Sequence, residues 1–80
     1  MDNPNGRPMT FGEKAVGLSF NPSGDPLVNA IKSQFAVAID EMNALRLRAT
    51  SPEVKRMASV AITEAQGAQM WAVKAATWKD

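Results

Sequence analysis

Any chemistry in this chain is done without imidazole or thiol, because it contains no histidine and no cysteine. That removes the commonest metal ligand, the commonest general base and every thiolate nucleophile. Asp40 and Glu41 are adjacent acids, but neighbours on a helix point about 100° apart and do not face each other. Asp25 and Glu53 each read as helix-start residues. Ser19, Ser23, Ser33, Ser51 and Ser59 have no histidine to activate them. No glycine-rich phosphate loop occurs. No catalytic residue, metal site or cofactor is expected.

Binding is better supplied. Lys32 and Ser33 set an ammonium beside a hydroxyl, a pair suited to a phosphodiester; the alternative is a solvated surface lysine. Phe11 and Phe20 lie in the loop-rich N-terminal third. An aromatic beside an irregular segment either plugs a helix end or stacks on a base, for ~1–3 kcal/mol. Thr63, Gln66, Gly67, Met70, Lys74 and Thr77 fall on one line of a helix by three–four spacing. Gly67 costs ~1 kcal/mol in a helix interior relative to alanine, which calls for close packing of another helix or close approach of a ligand. Lys74 either meets a ligand or complements a helix C-terminus.

The elements that must position these residues are helical. Residues 1–9 read as a flexible arm, with Pro4, Gly6, Pro8 and few apolar groups. Thr10 and Glu13 make a capping box for a short helix from about Phe11 to Val16, stopped by Gly17. Two prolines and a glycine between Phe20 and Pro26 forbid regular structure. Asp25-Pro26 then starts a helix to about Arg48, and Ser51-Pro52-Glu53 starts another to about Trp78. The first carries a stripe of Val28, Ile31, Phe35, Ala38, Met42 and Leu45. The second carries Val54, Ala58, Ala61, Ala65, Ala68, Ala72 and Ala75. A link of about four residues joins them as antiparallel neighbours. The expectation is one all-α domain over 1–80: an arm (1–9), a short helix and loop (10–25) and a long αα-hairpin (26–78).

With 80 residues the chain buries too little surface to be secure alone, and without disulfides or metal the remaining remedy is oligomerisation. Met57, Val60, Ile62, Trp71, Val73 and Trp78 lie off the alanine seam and supply further apolar faces. A net charge of +1 is too balanced for a duplex DNA binder. No apolar run approaches the ~20 residues of a membrane span, and the polar segment from Met1 to Pro8 is no secretory signal. A soluble cytoplasmic protein is expected.

One pattern adds to this. Phe20-Asn21-Pro22-Ser23-Gly24, Val28, Ile31-Lys32 and Ile39-Asp40 are followed by Ser51-Pro52-Glu53, Arg56, Ala61-Ile62-Thr63 and Met70-Trp71-Ala72-Val73-Lys74-Ala75. Together they resemble the phage anti-CBASS nucleotide sponges, whose hairpin is shared with some anti-Thoeris sponges. The resemblance spans about residues 17–78. It implies a homohexamer of interlocked hairpins in the cytoplasm of the infected bacterium. It implies capture, without cleavage, of cyclic dinucleotides between paired protomers and of cyclic trinucleotides at a separate site near three-fold contacts. Some relatives take cyclic ADP-ribose derivatives.

By position, the resemblance gives Lys32 the dinucleotide phosphate. Gly17 stands where the stacking aromatic falls in the family, which leaves that role to Phe11 or Phe20. Gln34 replaces a threonine, so Ser33 or Gln34 serves there. Lys74 falls at a basic position of the trinucleotide site, commonly arginine, with Met70 and Thr77 beside it; lysine brings charge without the planar fork. The expectation from another class is a helical adaptor, or a direct inhibitor of a host protein, docking through Trp71, Val73 and Trp78.

Overall fold

A computed structural model describes residues 6–80; the part of the expected arm before Gly6 lies outside the described residues. Three helices follow in order: α1 (Phe11–Ala15), α2 (Pro26–Arg48) and α3 (Pro52–Ala76). No strand forms among the described residues, and no helix there is long and apolar enough to cross a membrane.

Each helix begins where its side chains satisfy the free first-turn N–H groups. Thr10 Oγ1 accepts from the Glu13 N–H at 3.1 Å, and the Thr10 N–H donates to Glu13 Oε1 at 2.9 Å, closing the expected capping box. Gly17, at φ +63°, ends α1: its N–H donates to the Lys14 carbonyl and the Leu18 N–H to the Glu13 carbonyl, the double bond of a Schellman turn. Asp25 accepts from the Leu27 N–H at 2.9 Å ahead of Pro26. Ser51 accepts from the Val54 N–H at 3.3 Å ahead of Pro52.

Arg7 extends the first cap. Its guanidinium donates to both Glu13 oxygens, at 2.8 and 2.6 Å. That pairing, with the Thr10 N–H, holds the Glu13 pKa at about 2 against an ordinary 4.5. The folded value is the lower one, so the stabilisation is complete above pH 4.5 and is lost as pH falls to about 2. In an NMR titration the Thr10 amide resonance is expected to move through that acid window, and Glu13→Gln to abolish the movement. A Thr10 amide that titrates unchanged in E13Q contradicts the assignment.

The long helices are antiparallel. Near the link, Arg46 Nη1 donates to Ser59 Oγ at 3.1 Å and Lys55 Nζ to the Arg46 carbonyl at 2.8 Å. At the far end Val28 and Lys32 of α2 line one groove with Val73 and the α3 C-cap, Thr77. The core between the helices is Val16, Ala36, Ile39 and Ile62, flanked by Ala15, Leu18, Phe35, Met42 and Ala65. Ile39 is fully buried.

Both seams are rotated from the expected stripes. On α2 the buried positions are Val28, Lys32, Ala36 and Ile39, and on α3 they are Ala58, Ile62 and Gln69. Ala38, Leu45, Ala68 and Ala75 face outward, and Ile62 lies in the core rather than on an outer face. Two registers of three–four spacing share Ala58, Ala65 and Ala72. The larger Ile62 fills the core where Ala61 cannot, and burial of its added methylenes, ~0.8 kcal/mol each, decides the rotation.

α1 lies across the hairpin at its middle. The Gly12 N–H donates to Asp40 Oδ1 at 2.7 Å, and Gln66 Nε2 donates to the Ala15 carbonyl at 3.3 Å. α1 is therefore tied to both arms, and its C-terminal end stands over the region between Lys32 and Gln69.

Candidate functional site

The short helix and the irregular segment after it overhang the hairpin and leave a groove of about 500 Å³. One wall is the α1 end, from Lys14 to Gly17, with Phe20 beyond it. The opposite wall is α3, with Gln66, Gln69, Met70 and Val73, and Lys32 comes from α2. A second groove, of about 270 Å³, adjoins it through Phe20, Lys32 and Val73 and continues to Asn21, Val28 and Thr77. The larger volume falls within the ~300–1,000 Å³ of small-molecule sites.

Lys32 is central to both grooves. Its side chain is 5% exposed, so it is not a solvated surface lysine. Its Nζ donates to the Gly17 carbonyl at 2.9 Å and also to the Phe20 carbonyl. The Phe20 ring stands 5.5 Å from the same nitrogen, within cation–π range. An ammonium has three N–H donors; two hold the loop and one remains. Burial lowers the Lys32 pKa, because the charged form has lost hydration. An anion arriving in the groove restores what hydration supplied.

Phe20 is 71% exposed. It plugs no helix end; its ring stands at the groove rim, and its backbone is fixed by Lys32. A side-chain net keeps the following turn in place: Asn21 Nδ2 donates to the Asp25 carbonyl at 3.0 Å and to Asn29 Oδ1 at 3.1 Å, and Ser23 Oγ donates to Asn21 Oδ1 at 2.8 Å.

Of the residues singled out from the sequence as candidates for binding, Phe20, Lys32, Gln66, Met70 and Thr77 come together around these two grooves. Phe11 does not; its ring packs 5.5 Å from the Arg46 guanidinium, toward the linked end of the hairpin. Ser33 and Gln34 are exposed on α2 and line neither groove. Lys74 lines a separate cleft of about 390 Å³ with Trp71, Ala75 and Trp78, its Nζ 5.6 Å from the Trp71 ring. Met70 and Thr77 are not in that cleft, and Thr77 Oγ1 donates back to the Val73 carbonyl at 2.8 Å. A Cβ added at Gly67 would meet nothing within 4 Å among the described residues beyond its own stretch of helix.

Sequence reasoning missed Gln69, which is buried and lines the larger groove. The signal was available, since Gln69 falls seven residues after Ile62, on the same face of the helix.

A helical hairpin with a short helix strapped across it, leaving a ligand-sized groove at a lysine-held loop, defines the class as a small helical binding module. The chain belongs to the Acb2/Tad1 hairpin-domain family, whose model matches residues 13–77, the family of phage anti-CBASS and anti-Thoeris sponges. These sponges bind cyclic-nucleotide signals rather than cleaving them. Comparison with curated proteins and with solved structures finds no match.

Proposed function

We propose that this chain is a phage anti-defence sponge that captures cyclic di- and trinucleotides intact and keeps them from CBASS effectors in the cytoplasm of the infected host. The observation that carries the reading is the convergence of the buried Lys32 ammonium and the exposed Phe20 ring on one groove. A phosphodiester takes the remaining Lys32 N–H, and a base stacks on Phe20. The roles of Ser33 and Gln34 belong to a ligand shared with a second copy, because both side chains point to solvent outside the groove of their own chain. The cleft of Lys74 and the two tryptophans receives the trinucleotide, with Met70 and Thr77 completing it from a neighbouring copy.

Self-association is part of the proposal. Leu47, Trp71 and Trp78 are 74%, 71% and 64% exposed, more apolar surface than a lone hairpin of this size carries comfortably. Gly67 leaves one stretch of α3 without a Cβ and open to a neighbour. A homohexamer agrees with these faces and with the family resemblance.

Native mass spectrometry tests the reading. Purified protein is expected to fly as an oligomer and to take up cyclic di- and trinucleotides whose masses return unchanged on release. An oligomer that ignores both, and cyclic ADP-ribose derivatives as well, sinks the sponge reading and favours protein docking through Trp71 and Trp78.

A further inference from the structure

We infer that Gln69 reads the base of the captured nucleotide and gives the groove a preference for adenine over guanine; this rests on the sponge reading above. Among the described residues only Lys32 and Gln69 are buried polar side chains, each 5% exposed, and both line the same groove. The Lys32 ammonium has its carbonyl partners. The Gln69 amide makes no hydrogen bond among the described residues. Neither of its polar atoms is sealed from solvent, so the groove is what reaches them.

An amide on a buried side chain, with donor and acceptor both open only to the groove, is a preorganised recognition group. Gln66, one turn earlier, is not equivalent, because its Nε2 is committed to the Ala15 carbonyl. A base laid against Phe20 at the rim turns an edge toward the groove floor. Adenine presents there a 6-amino donor beside a ring-nitrogen acceptor, the complement of a glutamine amide. The corresponding outer edge of guanine shows two acceptors, O6 and N7, which an amide cannot satisfy together. Lys32 then holds the phosphate while Gln69 selects the base.

The test is calorimetry of the wild-type protein and of Gln69→Leu with three probes: cyclic di-adenylate, its analogue lacking both 6-amino groups, and cyclic di-guanylate. The wild type is expected to lose on the order of tenfold to a hundredfold in affinity when the 6-amino groups are removed. Q69L is expected to bind the adenine ligand and its analogue almost equally, and to melt close to the wild type, since Gln69 makes no hydrogen bond among the described residues for the substitution to break. Q69L that keeps the wild-type ratio overturns the inference, as does a wild type that binds all three probes equally; the sponge reading survives both. A wild type that binds none of them overturns the inference, and the sponge reading then stands or falls on the native mass spectrometry above. Gln69→Met keeps the length of the side chain and removes both the acceptor and the donor, so if Q69L does not fold, lost discrimination in Q69M supports the inference and retained discrimination overturns it.

Discussion

Lys32→Met is expected to lower the affinity for cyclic dinucleotides by about 100-fold while leaving trinucleotide uptake nearly unchanged. A hydrogen bond to a charged group is worth ~1.5–3 kcal/mol, and each ~1.4 kcal/mol is a factor of ten. The upper part of that range applies because the Lys32 ammonium is buried and poorly hydrated. Methionine keeps the apolar length of the side chain and removes only the charge and donors. The Gly17 and Phe20 carbonyls lose their partner in the same stroke, so the loop that presents the Phe20 ring loosens. Calorimetry reads the affinity, and the NMR line widths of residues 17–24 read the loop. Lys74→Ala is the reciprocal case: it acts in a separate cleft and is expected to weaken the trinucleotide alone. If each substitution weakens both ligands equally, the two-site assignment is wrong and assembly is what both have disturbed.

The same lysine shows how far the sequence could be read. Helix starts are local chemistry, and Thr10, Asp25-Pro26 and Ser51-Pro52 announced them in the order the structure shows. The rotation of each helix about its own axis is tertiary. Stripes drawn through apolar residues alone leave out Lys32 and Gln69, because neither is apolar. Both lie inside. The true seams run Val28–Lys32–Ala36–Ile39 and Ala58–Ile62–Gln69, and a polar residue at a core position was the mark of the groove. The docking of α1 was illegible for another reason. It depends on Gly12 meeting the Ala36 backbone and the Asp40 carboxylate, a contact across a sequence distance that no periodicity reports. Asp40 was dismissed as an acid without an acid partner; its partner is a backbone N–H.

Gly12→Ala is expected to detach α1 from the hairpin. A Cβ at position 12 would stand 2.1 Å from the Ala36 carbonyl oxygen and 3.0 Å from the Asp40 carboxyl carbon. The first of these is backbone within a helix and cannot turn aside as a side chain would. Overpacking of this kind costs about 1–3 kcal/mol, and here the bond from the Gly12 N–H to Asp40 is lost with it. In a domain of this size each kcal/mol lowers Tm by roughly 4–8 °C, so a fall of about 10–20 °C in a calorimetric scan is the expected result. Gly67→Ala is the control, because its Cβ meets nothing within 4 Å in the chain, and in the isolated protomer it should stabilise α3 slightly. The consequence for binding follows from position. α1 and the turn after it, Lys14 to Gly17, form one wall of the groove, and the Gly17 carbonyl is one of the two that hold Lys32. G12A should therefore lose dinucleotide capture without touching any residue that contacts ligand. A G12A protein that melts as the wild type does, and binds as it does, would mean that α1 docks elsewhere on the hairpin and that the groove is not the site.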